Sequence, residues 1–181
     1  LGSVFRDLNK LQEAEISYRK AIEFKPNYAE AYSNLGNILK DFGKLKDAEF
    51  SYRKAIEIKP DFADAHSNLG IILKDLGKLQ EAENSYRKAI KLKPDFAEAH
   101  FNLGTILMDL GKLKEAEISC RKAIKLNPDL SEAHLNVGSI LIDLGNLEEA
   151  ALITRKAIDL NPDFAEAHSN LGAILKDLGQ S

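Results

Sequence analysis

The sequence predicts an all-α protein, an α-solenoid built from 34-residue helix-turn-helix repeats. Three observations predict it. The five prolines, Pro26, Pro60, Pro94, Pro128 and Pro162, recur every 34 residues. The eleven glycines fall into two series of the same period. One runs Gly2, Gly36, Gly70, Gly104, Gly138, Gly172; the other runs Gly43, Gly77, Gly111, Gly145, Gly179, with Asn9 in its first slot. Between these marks the apolar residues follow helical spacing, and no alternating strand pattern occurs.

Counted from Ala29, complete copies occupy 29–62, 63–96, 97–130 and 131–164. Residues 1–28 form a copy lacking its first six positions, and 165–181 are the first half of another, so 1–181 is expected to be a single array. The first element is a helix over 1–8 that lacks its first turn. Each complete copy then reads as two helices. In 63–96, Ala63 to Leu76 puts Ala65, His66, Leu69, Gly70, Ile72, Leu73 and Leu76 on one side. Gly77 supplies the positive φ that ends a helix. Leu79 to Leu92 forms the second helix, with Leu79, Ala82, Tyr86, Ala89 and Ile90 inward, and Lys93-Pro94-Asp95 stops it because proline disfavours helix at the preceding residue. The last element is a helix over 165–178 with no partner helix. Its Leu171, Ile174, Leu175 and Leu178 are expected to leave an apolar end, which predicts end-to-end association of chains.

Composition narrows the function. The chain is 44% hydrophobic and 29% charged, which places it among folded rather than disordered chains. A net charge of −3 argues against a nucleic-acid partner. No apolar run reaches the length of a membrane span. The single cysteine, Cys120, allows no internal disulfide, and a reducing, cytoplasmic setting is the simplest expectation. The opening LGSVFRDLNK reads like the middle of a helix, as expected of a fragment.

The repeat resembles the tetratricopeptide repeat. That family's pattern has an aromatic at position 4, Leu-Gly at 7–8, Gly at 15, Ala at 20, an aromatic at 24, Ala at 27 and Pro at 32. In 29–62 these are Tyr32, Leu35-Gly36, Gly43, Ala48, Tyr52, Ala55 and Pro60. Departures are His66, His100, His134 and His168 at position 4, and Cys120 and Thr154 at position 24. The resemblance covers the whole chain. It implies a right-handed superhelix whose first helices line a concave groove, and a role in binding proteins or peptides.

At roughly 100° per residue, positions 2, 5, 6, 9, 12 and 13 of the first helix share one stripe, opposite the packing positions. Asn34, Asn68, Asn102, Asn136 and Asn170 occupy position 6. Asparagine costs roughly half a kcal/mol against alanine in a helix interior. Its amide carries donor and acceptor and can pair with a peptide backbone. First helices stacked about 10 Å apart would offer one amide to about every third residue of an extended strand. The phrase Ala-Tyr/His-Ser-Asn-Leu-Gly is also similar to the repeats of the O-GlcNAc transferase superhelix, and that resemblance implies a backbone-gripping role for the five asparagines. The alternative is that they are solvated or bond across helices. At positions 5 and 12 most copies are polar, but 97–130 has Phe101 and Met108, and 131–164 has Leu135 and Ile142. These four are expected to form an apolar patch in the groove.

Catalytic chemistry is not expected. The four histidines sit at a packing position, Cys120 has no paired base, and no phosphate loop exists because every glycine belongs to the repeat. No cofactor or metal is expected. The expected function is a non-catalytic interaction module taking an extended peptide. The alternatives are the substrate-recruiting part of a larger glycosyltransferase-like enzyme and a self-associating scaffold.

Overall fold

The computed structural model describes residues 2–179, with side chains from Lys10 onward. Among these residues there are ten helices and no strand. They are α1 Gly2–Phe24, α2 Ala29–Asp41, α3 Leu45–Ile58, α4 Ala63–Asp75, α5 Leu79–Leu92, α6 Ala97–Asp109, α7 Leu113–Leu126, α8 Ser131–Asp143, α9 Leu147–Leu160 and α10 Ala165–Asp177. The chain forms two compact units, Leu1–Lys93 with α1–α5 and Pro94–Ser181 with α6–α10.

In the first unit α2 pairs with α3 and α4 with α5 as antiparallel hairpins, while α1 packs on α2 and α3 on α4. In the second unit the hairpins are α6–α7 and α8–α9, with α7 on α8 and α9 on α10. First helices of successive repeats also touch, α2 with α4, α6 with α8 and α8 with α10.

The small residues explain how closely a hairpin closes. A Cβ added to Gly70 would lie 2.7 Å from the Tyr86 ring, so only glycine admits that ring. Gly36 receives Tyr52 in the same way, Gly104 the Cys120 thiol and Gly138 the Thr154 hydroxyl. Gly77 ends α4 at φ 74°. Its N–H donates to the Lys74 carbonyl at 2.8 Å and the Lys78 N–H to the Leu73 carbonyl at 2.8 Å, which satisfies two carbonyls the helix end leaves open.

Two expectations are corrected. The helix over 1–8 does not end at Asn9; α1 runs unbroken from Gly2 to Phe24. The four later hairpins turn at a glycine with positive φ, whereas asparagine has a Cβ and adopts that conformation less readily. At the other end, Ile174 is only 1% exposed and so is no part of an open apolar face. It occupies position 10, where Ile72, Ile106 and Ile140 are also fully buried. Leu171, Leu175 and Leu178 are half-buried.

Candidate functional site

The first helices present their acids outward at both ends. Position 2 (Glu30, Asp64, Glu98, Glu132, Glu166) and position 13 (Asp41, Asp75, Asp109, Asp143, Asp177) are exposed in every described copy. Between these ends, positions 6 and 9 are half-buried along α2, α4, α6 and α8. These positions make up the stripe singled out in the sequence.

All five asparagines, Asn34, Asn68, Asn102, Asn136 and Asn170, are half-buried. Three hold the preceding repeat. The Asn68 amide donates to Asn37 Oδ1 at 3.3 Å, Asn136 to Thr105 Oγ1 at 3.2 Å, and Asn170 to Ser139 Oγ at 3.1 Å. The acceptor is always position 9 of the previous first helix. Asn37 Oδ1 also accepts from the Tyr52 hydroxyl at 2.7 Å, so one oxygen joins both helices of a repeat to the next repeat. Burial pushes the Tyr52 phenol well above its usual range. Bonding across helices is therefore realised in these three copies. Each such bond uses one amide N–H of the two that asparagine carries, and the Asn136 side chain also bonds the Cys120 thiol. The signal for the acceptor was present in the sequence, as a polar residue three positions after asparagine in Asn37, Thr105 and Ser139.

The apolar patch is only partly where the stripe predicted it. Phe101 and Met108 on α6 and Ile142 on α8 are half-buried. Leu135 is not available, being 3% exposed and packed with Ala157, Ile158, Phe164 and Ala167. Position 5 is also buried in α2 and α4, where Ser33 and Ser67 are 4% and 2% exposed. Seven residues separate positions 5 and 12, which brings them close to the same face of one helix, but in α8 Phe164 and Ala167 pack on Leu135 and leave Ile142 half-buried.

The histidines are structural. Each Nε2 donates to the carbonyl of the proline six residues earlier, His66 to Pro60, His100 to Pro94, His134 to Pro128 and His168 to Pro162, at 2.9 to 3.1 Å. A carbonyl only accepts, so Nε2 carries the proton. Burial holds His66 and His100 below the ordinary histidine range. Cys120 is fully buried, and burial pushes its thiol up to about 12 while the Asn136 side chain pulls the other way. A thiol so placed is shielded from oxidants in any compartment.

Two arginines also link repeats. Arg53 bonds Glu49 in its own helix at 2.8 Å and Glu81 in the next second helix at 2.6 Å. Arg121 does the same with Glu117 and Glu149. On the outer face, position 22 carries exposed apolar side chains that the inward pattern did not flag: Ile16 and Phe50 in the first unit, Ile118 and Leu152 in the second. Among the described residues no helix is long and apolar enough to cross a membrane, and no cluster of side chains could hold a metal ion.

Models of the TPR repeat match residues 2–43, 36–77, 72–111 and 138–179, and a tetratricopeptide repeat model matches 97–130. The chain belongs to the tetratricopeptide repeat family. No curated protein is significantly similar to it in sequence. Among solved structures it is similar to YrrB, described as a TPR protein with an unusual peptide-binding site. The two share 28% identity over 90% of this chain and 84% of that one, with a TM-score of 0.81. MamA is 25% identical over 92% and 97% of the two chains, also at 0.81. The Pseudomonas aeruginosa pilF structure shares the fold at TM-score 0.86, with 21% identity over 99% and 82% of the chains. This tetratricopeptide repeat protein is thus of a kind that serves protein–protein interaction. The narrower likeness to O-GlcNAc transferase repeats rests on the repeat phrase alone.

Proposed function

We propose that the chain is a non-catalytic module that binds an extended peptide along its first helices, with the second unit as the main recognition surface. The carrying observation is the change at position 12. In α2 and α4 this position holds Lys40 and Lys74, beside Asp41 and Asp75. In α6 and α8 it holds Met108 and Ile142, and neither helix contains a lysine or arginine. Two adjacent helices therefore offer half-buried apolar side chains, Phe101, Met108 and Ile142, between exposed acids, Glu98 and Glu132 at one end and Asp109 and Asp143 at the other. Asn102 and Asn136 run through the same strip. Such a surface suits a peptide with apolar anchors and basic flanks, held by side-chain burial and oriented by charge. The peptide-binding description of YrrB supports this reading.

The test is selection from a random peptide library at chain concentrations low enough to keep copies apart. Selected peptides should combine apolar residues with Lys or Arg. Met108→Ser and Ile142→Lys should each weaken binding at least 10-fold while shifting the melting curve far less than a core change does. Leu135→Ala should instead cost about 2–5 kcal/mol of stability, as core leucines do. A selected peptide indifferent to both groove variants would refute the proposal.

A further inference from the structure

Opposite the asparagine stripe, the seam between successive second helices opens into clefts. One of about 410 Å³ lies in the first unit among α1, α2 and α3. That volume falls in the range of small-molecule sites. A cleft of about 400 Å³ recurs one repeat on, among α3, α4 and α5. The same positions build both: 25, 28 and 29 of one second helix, and 4 and 7 of the first helix that follows. The cleft is therefore a product of the repeat itself, and its second copy serves as an internal comparison.

The two clefts differ in their walls. In the first, Ile22, Leu35 and Leu39 give an apolar lining, and Tyr32 and Phe50 add two aromatic rings. In the second, His66 and Asn84 stand where the first has Tyr32 and Phe50, and Lys88 joins the lining. Charge differs as well. The first cleft holds two acids, Glu23 on α1 and Asp47 on α3. Among the described residues neither carboxylate has a hydrogen-bond or ion-pair partner. The bases nearby are already held: Arg19 bonds Glu15 at 2.8 Å, and Lys54, beside Tyr32, bonds Glu57 at 2.7 Å. In the second cleft the acid is that same Glu57, neutralised by Lys54.

We propose that the cleft among α1, α2 and α3 binds a small organic cation, an apolar ring or chain that carries one ammonium group. The apolar body lies against Ile22, Leu35 and Leu39, and the ammonium group turns toward Glu23 and Asp47. Aromatic faces and unpaired carboxylates both attract positive charge, and the partly enclosed apolar wall strengthens that attraction. A neutral molecule would leave the two acids unpaired, and an anion would be repelled by them. The site uses positions 4, 7 and 11 of α2, opposite the asparagine stripe. It is separate from the proposed peptide surface and does not rest on it.

The experiment is a titration of the isotope-labelled chain with phenethylammonium chloride, followed through amide chemical shifts. Saturable shifts are expected at Ile22, Leu35, Leu39 and Phe50, and not at Leu69 and Asn84 of the second cleft. Phenethyl alcohol, of the same size but uncharged, should bind about 10-fold more weakly. Phe50→Asn installs the residue that the second cleft carries at this position. Phe50 is 61% exposed, so the fold should be kept while binding weakens about 5-fold. Asp47→Asn, which removes one charge, should weaken it about 3-fold. Ile142→Lys, in the peptide surface, should leave it unchanged. Shifts that never saturate, that appear equally in the second cleft, or that persist undiminished in Phe50→Asn would overturn the proposal. Phenethyl alcohol binding as tightly as phenethylammonium would overturn the class of ligand.

Discussion

The hexapeptide AHSNLG occurs at 65–70 and again at 167–172, with the same helical conformation and different surroundings. Ala65 and Ala167 are both 0% exposed, so position 3 is buried by what precedes it. The next two residues diverge. His66 and Ser67 are buried, whereas His168 and Ser169 are exposed. Gly70 lies against a tyrosine ring and Gly172 against nothing. Identical residues thus split into those buried by the repeat before and those buried by the helices after. Local sequence decides that a helix forms; the neighbours decide which of its faces is inside.

The strongest way to break this comparison is to make one substitution at both copies. Gly70→Leu must force its side chain into the Tyr86 ring, and overpacking of that kind should cost about 3 kcal/mol or more. Gly172→Leu should be neutral or favourable by up to about 1 kcal/mol, since leucine is the better helix former. Chemical denaturation of the two variants, read as the shift in midpoint, measures both. Equal losses at the two sites would mean that α10 is covered after all.

Asparagine supplies a smaller contrast. Asn68→Ala removes the bond to Asn37, and should cost about 1 kcal/mol, the usual worth of a hydrogen bond. The double variant Asn68→Ala, Asn37→Ala should cost less than the sum of the singles, because the two amides share one interaction. A double-mutant cycle by denaturation checks this, and strict additivity would show that the bond does not link the repeats.

The smallest effect is on pH. Burial depresses the His66 and His100 pKa values below the ordinary 6.5. The unfolded chain therefore takes up protons first as pH falls. Their contribution to stability is full above about pH 6.5 and is lost as pH drops from there through the folded values. Melting temperatures at pH 7.5 and 5.5 should differ in that direction, in a range the carboxylates scarcely enter. His66→Tyr, which puts back the aromatic that Tyr32 supplies at this position, should reduce the difference. An undiminished slope in that variant would remove His66 from the account.

Much of this fold was legible in the sequence. The second helix expected over Leu79–Leu92 is observed with those bounds, and the first, expected over Ala63–Leu76, ends one residue earlier at Asp75. Period, proline and glycine are local signals, and local signals set helices and turns. The misses are non-local. Leu135 shares a face with Ile142 on a helical wheel, but only contact with Phe164 and Ala167, about 30 residues on, shows that it is buried. The Arg53–Glu81 bond likewise joins residues 28 apart, beyond the reach of any local pattern. The asparagines are half-buried along one stripe, and their acceptors at Asn37, Thr105 and Ser139 emerge only when successive first helices are set side by side.

Within each unit, the hydrogen bonds described above that tie one repeat to the next span 28 to 31 residues. That constancy has a kinetic consequence. Closing each new repeat onto its neighbour costs the same short loop of chain entropy, so no late step needs to bring distant segments together. Folding can begin at whichever hairpin forms first and spread in both directions as a zipper, at a speed set by hairpin closure rather than by chain length.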